Sequence, residues 1–538
     1  MTPGTRTARR RRAVVAGAFL PGASGGAAAF AAGPASGVLA RSSSPTGHVL
    51  HLSFLEDPGQ PPDPNVYYAG EGLLLTRNLY QGLVRYEPGT AQRHIEPELA
   101  TSWNVSPNGL VYTFQLRKGV HFHDGTVFTS AAVAPSFARR AAVGGGPAHM
   151  VADVASVRTE GLYGVRITLE QENSAFLDYL ASAYGPVMES PTALAAHAGK
   201  DHDQTYLQTH DVGTGPYTLT EAKVGVAYQL KAFPGYWGKK PYFTSVDLPV
   251  IDDLSTEEIQ FNDGQIAAIL HDLTAPAITS YEHDKSVDQY TLPTLESEVV
   301  YVNEHQGFLT SRSARLAMLE AIDLKAIDAA VFPDGAIVPP QFGPAHVLPA
   351  DIGKQTIAYD TKPLHTLVDK LASSQRTLTV GYDTGAPDDQ LIAENIAAEL
   401  QGDGLTTKVV GYETSEIFGW VGSVHDAEAQ APNILVDYFW PDADNPYTWT
   451  HISYDPSGGL EYLSCQAPGV AALDSQAVAS GSTSLYGKVV TAAQATGCWL
   501  NVADRDDVMV AQPWLKGIAA AHTVASPESL DLSALYAS

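Results

Sequence analysis

The second half of the chain mixes helical and strand-like patterns of apolar residues. Apolar side chains recur at every third or fourth position over 313–331, which predicts one long helix. A second helix is predicted over 390–401. It follows an apolar run at 378–382 and precedes another at 407–411, and this order indicates a parallel strand–helix–strand unit. Residues 434–438 predict a further strand.

The first half is richer in short segments that alternate between apolar and polar residues. One helix is predicted over 72–84, where leucines form an apolar face. The remaining patterns are typical of strands and hairpins, and the last two are expected to pair with each other. These strand segments are 48–54, 109–122, 165–170, 217–219 and 227–232.

Length and charge limit the classes of protein that need to be considered. The chain has 538 residues, which predicts two or three lobes rather than one core. It carries 32 Lys and Arg against 59 Asp and Glu, a formal charge of -27. Such a surface repels phosphate backbones, so we predict no nucleic-acid partner. With 44% hydrophobic residues, the chain is expected to fold as a soluble protein.

The first 41 residues are typical of an export signal and linker rather than of a folded domain. Five arginines precede the apolar stretch Ala13–Leu20, which is much shorter than the roughly 20 residues that span a bilayer. Both the general secretory and the twin-arginine route remain open. Val38–Ala40 resembles the start of a lipoprotein lipobox, but Arg41 stands where the lipidated cysteine belongs. We therefore expect an exported protein, extracellular or associated with the cell envelope, whose lipid anchor is doubtful.

Cys465 and Cys498 are the two cysteines of the chain, and both lie near its C-terminus. In an exported protein, one disulfide between them is favoured over two free thiols. A catalytic cysteine is the weaker interpretation.

A series of short motifs extends from residue 95 to the C-terminal part of the chain. It starts with Ile95–Trp103 and Leu116–Thr126, and the later motifs are Gly213–Tyr217, Tyr236–Gly238, Phe261 with Gly264–Gln265, Ala321–Asp323 and Pro441–Asn445. In content and order these motifs resemble the family 5 extracellular solute-binding proteins, the dipeptide- and oligopeptide-type receptors of ABC importers.

The resemblance implies a periplasmic-binding-protein-like α/β fold of class II topology. Two α/β lobes close on a cleft, and an inserted extra domain makes the body three-lobed. Residues 1–41 would be the signal and linker. The expected division of the rest is 46–92, 213–300 and 505–538 for domain I, 93–212 for domain II and 301–504 for domain III.

The same resemblance implies a receptor that captures a small solute and delivers it to an ABC permease, without catalysis and without a cofactor. The solute would be a peptide, an oligosaccharide or a metal chelate, and the receptor is expected to be a monomer. Two alternatives remain open. One is a secreted hydrolase, and the other is a receptor-derived binding or signalling protein that no longer serves an importer.

Ligand contacts are predicted from the residues around the Pro441–Asn445 motif. The family's peptide binders commonly hold the ligand's amino terminus with an aspartate at the position that is Phe439 here. Asp437 lies on the same strand face if the strand is regular. Phe439 and Trp440 offer aromatic surface. We predict that these three residues contact the ligand, together with Tyr67 and Tyr68 from the early loop.

No metal site is predicted, although two groups of residues have a superficial likeness to one. His121, His123 and Asp124 lie in a segment that the family uses as a structural hairpin. Asp442, Asp444 and Asn445 offer alternate oxygens, but they fall short of a calcium loop.

Overall fold

The computed structural model describes most of the chain beyond residue 47, and the expected export signal and Arg41 lie outside the described residues. No helix in the described part has both the length and the apolar character needed to cross a membrane. The described residues are 48–54, 60–68, 70, 72–91, 93–251, 253–271, 273–332, 336–337, 342–343, 347–349, 352–421, 431–455, 460–465 and 467–538.

Strands and helices are interleaved along the chain, as expected for an α/β protein. In chain order, strands β1 to β21 are Val49–His51, Val84–Tyr86, Ile95–Pro97, Ala100–Val105, Val111–Leu116, Val154–Thr159, Gly164–Leu169, Tyr217–Lys223, Ala227–Ala232, Ser245–Pro249, Ala268–Ile269, Asp288–Val302, Ala336–Ile337, Thr377–Asp383, Thr406–Tyr412, Ile434–Phe439, Trp499–Ala511, Leu515–Lys516, His522–Thr523, Ser526–Leu530 and Tyr536–Ala537. Helices α1 to α16 are Leu73–Leu79, Val133–Val143, Phe176–Ala181, Pro191–His197, Gln204–Leu207, Leu254–Asn262, Ala275–His283, Arg312–Leu319, Leu324–Val331, Lys362–Val368, Pro387–Gly402, Thr414–Trp420, Pro446–Tyr454, Val470–Ser480, Thr483–Gln494 and Ile518–Ala521.

A four-stranded sheet of order β1-β10-β9-β8 forms the first core together with α1. The predicted pairing of β8 with β9 is confirmed, because Leu219 lies opposite Leu230 in an antiparallel ladder. Helix α1 is shorter than the predicted 72–84. The backbone turns extended at Tyr80, and the chain then enters β2.

A remote turn packs against the end of α1. The Gly215 N–H donates to the Leu79 carbonyl at 2.9 Å, and a Cβ at Gly213 would lie 2.1 Å from the same oxygen. Only glycine allows the turn to approach so closely. The Gly213–Tyr217 motif is therefore a packing motif of this core.

The second core is built on an antiparallel sheet of order β4-β5-β7-β6. Alternation along β5 buries Tyr112, Phe114 and Leu116 on one face. Helices α2 and α3 contribute Phe137 and Phe176 to this core. The predicted hairpin-rich character of this region is confirmed.

The third region is a seven-stranded sheet of order β11-β17-β12-β16-β14-β15, with β13 paired to β17. β14 is parallel to both β15 and β16, and α11 connects β14 to β15, so the predicted strand–helix–strand unit is confirmed. Apolar clusters cover both faces of the sheet. The sheet is therefore buried on both faces, and Ile434, Leu435 and Val436 of β16 are consecutive buried apolar residues.

The predicted single helix over 313–331 is wrong, because the structure has two helices there, α8 and α9. The Asp323 side chain accepts hydrogen bonds from the backbone N–H groups of Lys325 and Ala326 and caps the start of α9. Such a cap favours a new helix start over a continuous helix.

Two long strands connect the first core to the third. β12 and β17 pair along most of their length, and Leu292 and Met509 pack at the first core, whereas Val300 and Leu500 pack at the third. Their register shifts twice between the two cores, once between Pro293 and Ser297 and again just after Glu298. Local irregularities of this kind bend a sheet and are suitable positions for a hinge.

Candidate functional site

Three parallel strands of the seven-stranded sheet end side by side. β14 ends at Asp383, β15 at Tyr412 and β16 at Phe439. In open α/β sheets, ligands bind in the crevice beyond the carboxyl ends of the strands. Helix α11 starts in this crevice directly after β14, which places Asp388 and Asp389 of its first turn at the same edge.

Four carboxyl side chains gather at this edge, and we call them the buried acidic cluster. They are Glu298 in β12, Asp383 at the end of β14, Asp389 in α11 and Asp437 in β16, and none is more than 4% exposed. Burial raises the pKa of Asp389 well above its ordinary value, and the charges of the other three members raise it further. The cluster is therefore one electrostatic unit.

Asp437 has a similarly raised pKa. Burial is the largest cause, the charges of Asp383 and Glu298 add to it, and a hydrogen bond from Tyr462 opposes it. Among the described residues, no N–H or hydroxyl donor reaches either carboxyl oxygen of Asp389 or Oε2 of Glu298. Buried carboxylates without donors must either hold protons or face a cation.

One arginine borders the cluster. In Arg505, Nη1 lies 3.0 Å from Glu296 Oε1 and 3.4 Å from Glu298 Oε1, while Nη2 lies 3.1 Å from Asp388 Oδ2. A single guanidinium thus already faces three carboxylates, so the edge has an excess of negative charge.

Two of the predicted ligand residues, Tyr68 and Trp440, lie in a group of aromatic side chains. Trp440 directly follows the end of β16. The Trp440 indole donates to the Tyr184 hydroxyl at 3.0 Å. The Tyr184 ring packs edge-to-face on the Tyr68 ring with centroids 5.0 Å apart. His149 and Tyr179 pack against each other beside them, with ring centroids 5.6 Å apart. The group brings together the early loop, the second core and the third.

The other two predicted aromatic contacts, Tyr67 and Phe439, are buried in cores. The Tyr67 hydroxyl accepts a hydrogen bond from the Gly72 N–H at the start of α1. Phe439 packs edge-to-face on Trp449, with centroids 4.4 Å apart. β16 pairs with β12 without a register shift, so Asp437 lies on the same strand face as Phe439. Although the two residues share a strand face, the Asp437 carboxyl lies among acidic side chains and the Phe439 ring lies among core side chains.

Asp442 joins the third region to the early loop and the second core. Its Oδ1 accepts a hydrogen bond from the Tyr68 hydroxyl at 2.6 Å, and its Oδ2 lies 2.9 Å from His149 Nε2. The Ser182 hydroxyl donates to its carbonyl. Burial lowers the pKa of His149, but the hydrogen bond and charge of Asp442 outweigh this and raise it above the ordinary value.

Asp444 and Asn445 extend this junction. Asp444 pairs with Arg93, and its N–H donates to the Tyr86 hydroxyl at 3.0 Å. The Asn445 amide donates to Asp178 at 3.1 Å. We call residues 442–445 the clamp, because all their partners here lie between residues 68 and 182. Since these side chains diverge to separate partners, the clamp does not have the arrangement of a calcium loop.

The other histidine motif also has structural partners. His123 pairs with Asp211 through Nδ1 and contacts the Gly215 carbonyl through Nε2 at 3.0 Å. Asp124 accepts hydrogen bonds from Thr126 and Ser190. His123 therefore supports the Gly213–Tyr217 turn, and Asp124 joins its own hairpin to the start of α4.

A disulfide joins Cys465 to Cys498, with Cα atoms 6.2 Å apart. Cys498 directly precedes β17, and Cys465 lies three residues after Tyr462, the donor to Asp437. The bond therefore anchors one of the loops beside the buried acidic cluster.

Sequence reasoning missed Glu298, Asp383, Asp389 and Arg505. A signal existed for two of them, since Asp383 ends a predicted parallel strand and Asp389 opens the helix that follows it, where ligand sites are common. Glu298 and Arg505 lie in long strands whose patterns do not distinguish them from other polar positions.

Comparison with known proteins places these features in a wider group. The family model described as "Bacterial extracellular solute-binding proteins, family 5 Middle" matches residues 94–460. A curated relative, the probable D,D-dipeptide-binding periplasmic protein DdpA of Escherichia coli, is 25% identical over 409 residues. The match covers 76% of this chain and 77% of the relative.

Solved structures share the fold at lower identity. NikA from Brucella suis in complex with Fe(III)-EDTA superposes with a TM-score of 0.78 at 22% identity, covering 91% of this chain and 100% of that one. DppA from Helicobacter pylori in complex with the peptide STSA gives 0.76 at 21%, covering 91% and 98%. This likeness confirms the predicted α/β fold class.

Proposed function

Because the chain belongs to the family 5 bacterial extracellular solute-binding proteins, we propose that it is a receptor for a small solute that carries an ammonium group. Solute binding is what the family and the reported relatives have in common. The finer proposal, an ammonium-bearing solute such as a short peptide, rests on one observation. The buried acidic cluster contains carboxyl oxygens that no donor among the described residues satisfies.

An ammonium group suits these carboxylates in charge and in hydrogen bonding. It carries one positive charge and three N–H donors, and Asp389 and Glu298 offer acceptors that lack donors. A charge-assisted hydrogen bond in a buried site is stronger than a neutral one. An anionic metal chelate would be repelled by the same carboxylates, and an uncharged oligosaccharide would leave their charge uncompensated.

The surrounding geometry supports capture by closure. Asp442 and Asp444 hold the third region against residues 68–182, and the shifts in β12 provide a place to bend. Opening at the clamp would admit solute, and closing would remove the site from water. We propose that the predicted domains I and III are the lobes that move, with the boundaries given above.

The remaining parts of the proposal follow from the family. The receptor would be exported, act as a monomer without catalysis and deliver its solute to an ABC permease. The comparisons favour this function over a secreted hydrolase, since DdpA and DppA are both named as periplasmic binding proteins. Fractionation of cells would separate it from a receptor that no longer serves an importer, because a protein that serves a permease should be retained at the membrane.

The ligand test compares solutes that differ in one group. Dipeptides, the same dipeptides with an acetylated amino terminus, oligosaccharides and metal chelates are titrated by calorimetry and thermal shift. A free dipeptide at 100 times its dissociation constant should stabilise the protein by about 2.7 kcal/mol, and the acetylated form should not. Equal binding of both forms, or binding of anionic chelates alone, would refute the ammonium assignment.

Two variants test the location of the site. Asp437→Asn removes one ionisable carboxyl from the buried acidic cluster and should weaken binding of the free dipeptide. Glu98→Gln is the matched control, because Glu98 is a buried carboxyl whose pKa burial raises to about 7, beside a separate cavity of about 50 Å³ lined by Arg77 and Arg85. The control should bind as the wild type does, and equal losses in both variants would place the ammonium elsewhere.

A further inference from the structure

A second group of potential ligand atoms lies between two helices after the clamp. Helix α13 carries His451 and is followed by Asp455, which lies one turn further on the same face. Helix α14 packs against α13 and presents Asp474 from its second turn. His451 Nδ1 lies 3.8 Å from Asp455 Oδ2 and 3.6 Å from Asp474 Oδ2.

These separations fit ligands of one shared ion better than they fit hydrogen bonds. Two atoms bound at 2.0–2.2 Å to one metal lie roughly 3.0 Å apart in octahedral geometry and roughly 3.4 Å apart in tetrahedral geometry. The observed distances are a few tenths of an ångström longer than this, whereas a hydrogen bond between nitrogen and oxygen is seldom longer than about 3.2 Å. One carboxylate oxygen from each aspartate and the imidazole nitrogen all lie within 4.8 Å of one another.

Asp474 gives an independent indication of a missing partner. Asp474 is only 1% exposed, and its Oδ1 accepts a hydrogen bond from the Thr450 hydroxyl. Its Oδ2 points towards His451, and no donor among the described residues reaches it within hydrogen-bond geometry. A carboxylate fixed on one side and unsatisfied on the other is oriented in the way that metal ligands usually are.

The group also combines two kinds of ligand atom. Asp455 and Asp474 are both buried carboxylates, and they face one imidazole. One nitrogen and two carboxylate oxygens suit zinc and its first-row neighbours, whereas calcium and magnesium prefer oxygen ligands throughout.

We propose that His451, Asp455 and Asp474 bind one divalent transition-metal ion, with Zn²⁺ as the first candidate and water completing its coordination. The ion can enter from solvent, because about a quarter of the His451 side chain is exposed. It would fasten α13 to α14. Since α13 begins directly after the clamp, the metal would hold in place the helix that follows the clamp.

The test measures metal content and affinity in tag-free protein that has been stripped with chelator. Equilibrium dialysis against Zn²⁺ with elemental analysis should give one ion per chain. Excess Mg²⁺ or Ca²⁺ should not displace it, and Co²⁺ in its place should give ligand-field absorption bands. Absence of stoichiometric Zn²⁺ binding by the wild type would overturn the proposal.

Variants assign the ligands. Asp474→Asn keeps the acceptor for Thr450 and should bind Zn²⁺ at least about tenfold more weakly, and His451→Gln should do the same if the first variant fails to fold. His365→Gln is the matched control, because it removes a histidine whose Nε2 lies 2.6 Å from Asp403 on the surface, and it should keep full binding. Unchanged affinity in both cluster variants would also overturn the proposal. Asp437→Asn should retain Zn²⁺, which separates this site from the solute site.

Discussion

Replacing Asp444 by asparagine tests whether the clamp responds to pH. Asp444 is mostly buried, and burial raises its pKa to about 7, with a further increase from Asp178 and an opposing effect of Arg93. The pKa of Asp178 is itself raised to about 6, mainly by burial. The folded clamp therefore prefers a protonated Asp444, whereas the unfolded chain and an open, hydrated clamp do not.

The size of the expected change in unfolding free energy follows from how far the pKa of Asp444 is raised. Relative to the ordinary value of 3.8, a pKa of about 7 corresponds to a free energy on the order of 4 kcal/mol. Because the folded pKa is raised, this stability is fully present below the unfolded pKa and is lost as the pH rises through about 7. A side-chain amide cannot ionise, so the Asp444→Asn variant should lack this loss.

The assay is urea unfolding of both proteins between pH 4 and pH 8. The free energy of unfolding of the wild type should fall relative to that of the variant by up to about 4 kcal/mol over this range. Glu172→Gln makes the same chemical change at an exposed surface position and should leave the pH dependence of the wild type intact. Parallel curves for the wild type and Asp444→Asn would refute the assignment of a raised pKa to Asp444.

Three further predictions concern the remaining predicted residues. Phe439→Ala should lower the free energy of unfolding by about 3–5 kcal/mol, because it opens a cavity against Trp449. A large loss of ligand affinity with normal stability would instead make Phe439 a ligand contact. Replacing both Cys465 and Cys498 by serine frees a loop with a sequence separation of 33 and should cost about 3–4 kcal/mol in urea unfolding, and an unchanged midpoint would contradict this. Tyr68→Phe removes a hydroxyl that donates to a carboxylate of the clamp, so calorimetry should show roughly tenfold weaker solute binding, whereas unchanged affinity would show that this bond is not needed for closure.

Local patterns predicted the elements of the fold better than their ends. The strand–helix–strand unit was predictable because apolar strands and an amphipathic helix alternate within a short segment. The end of α1 was not, because the apolar pattern continues past Leu79 while the turn that packs there, at Gly213 and Gly215, comes from far along the chain. The break at Asp323 was local, but the apolar spacing on both sides concealed the capping aspartate.

In the candidate site, too, local patterns were predictable from the sequence and long-range contacts were not. Asp437 could be selected from the sequence because strand alternation alone places it on the face of Phe439. Its partners Glu298 and Asp389 lie on a different strand and on a helix, and only the packed sheet brings the three carboxyl groups together. A single sequence does not show which residues, far apart along the chain, contact each other in the fold.

The buried acidic cluster has a cost that solute binding would remove. Burial and mutual repulsion raise the pKa of Asp389 and of Asp437, so ionising these two carboxyls without a cation destabilises the third region at neutral pH. The disulfide at Cys465 anchors the loop that carries Tyr462, the hydrogen-bond donor to Asp437. An ammonium group that replaces the missing cation would relieve this repulsion. The proposed solute would therefore stabilise the third region through the same charges that recognise it.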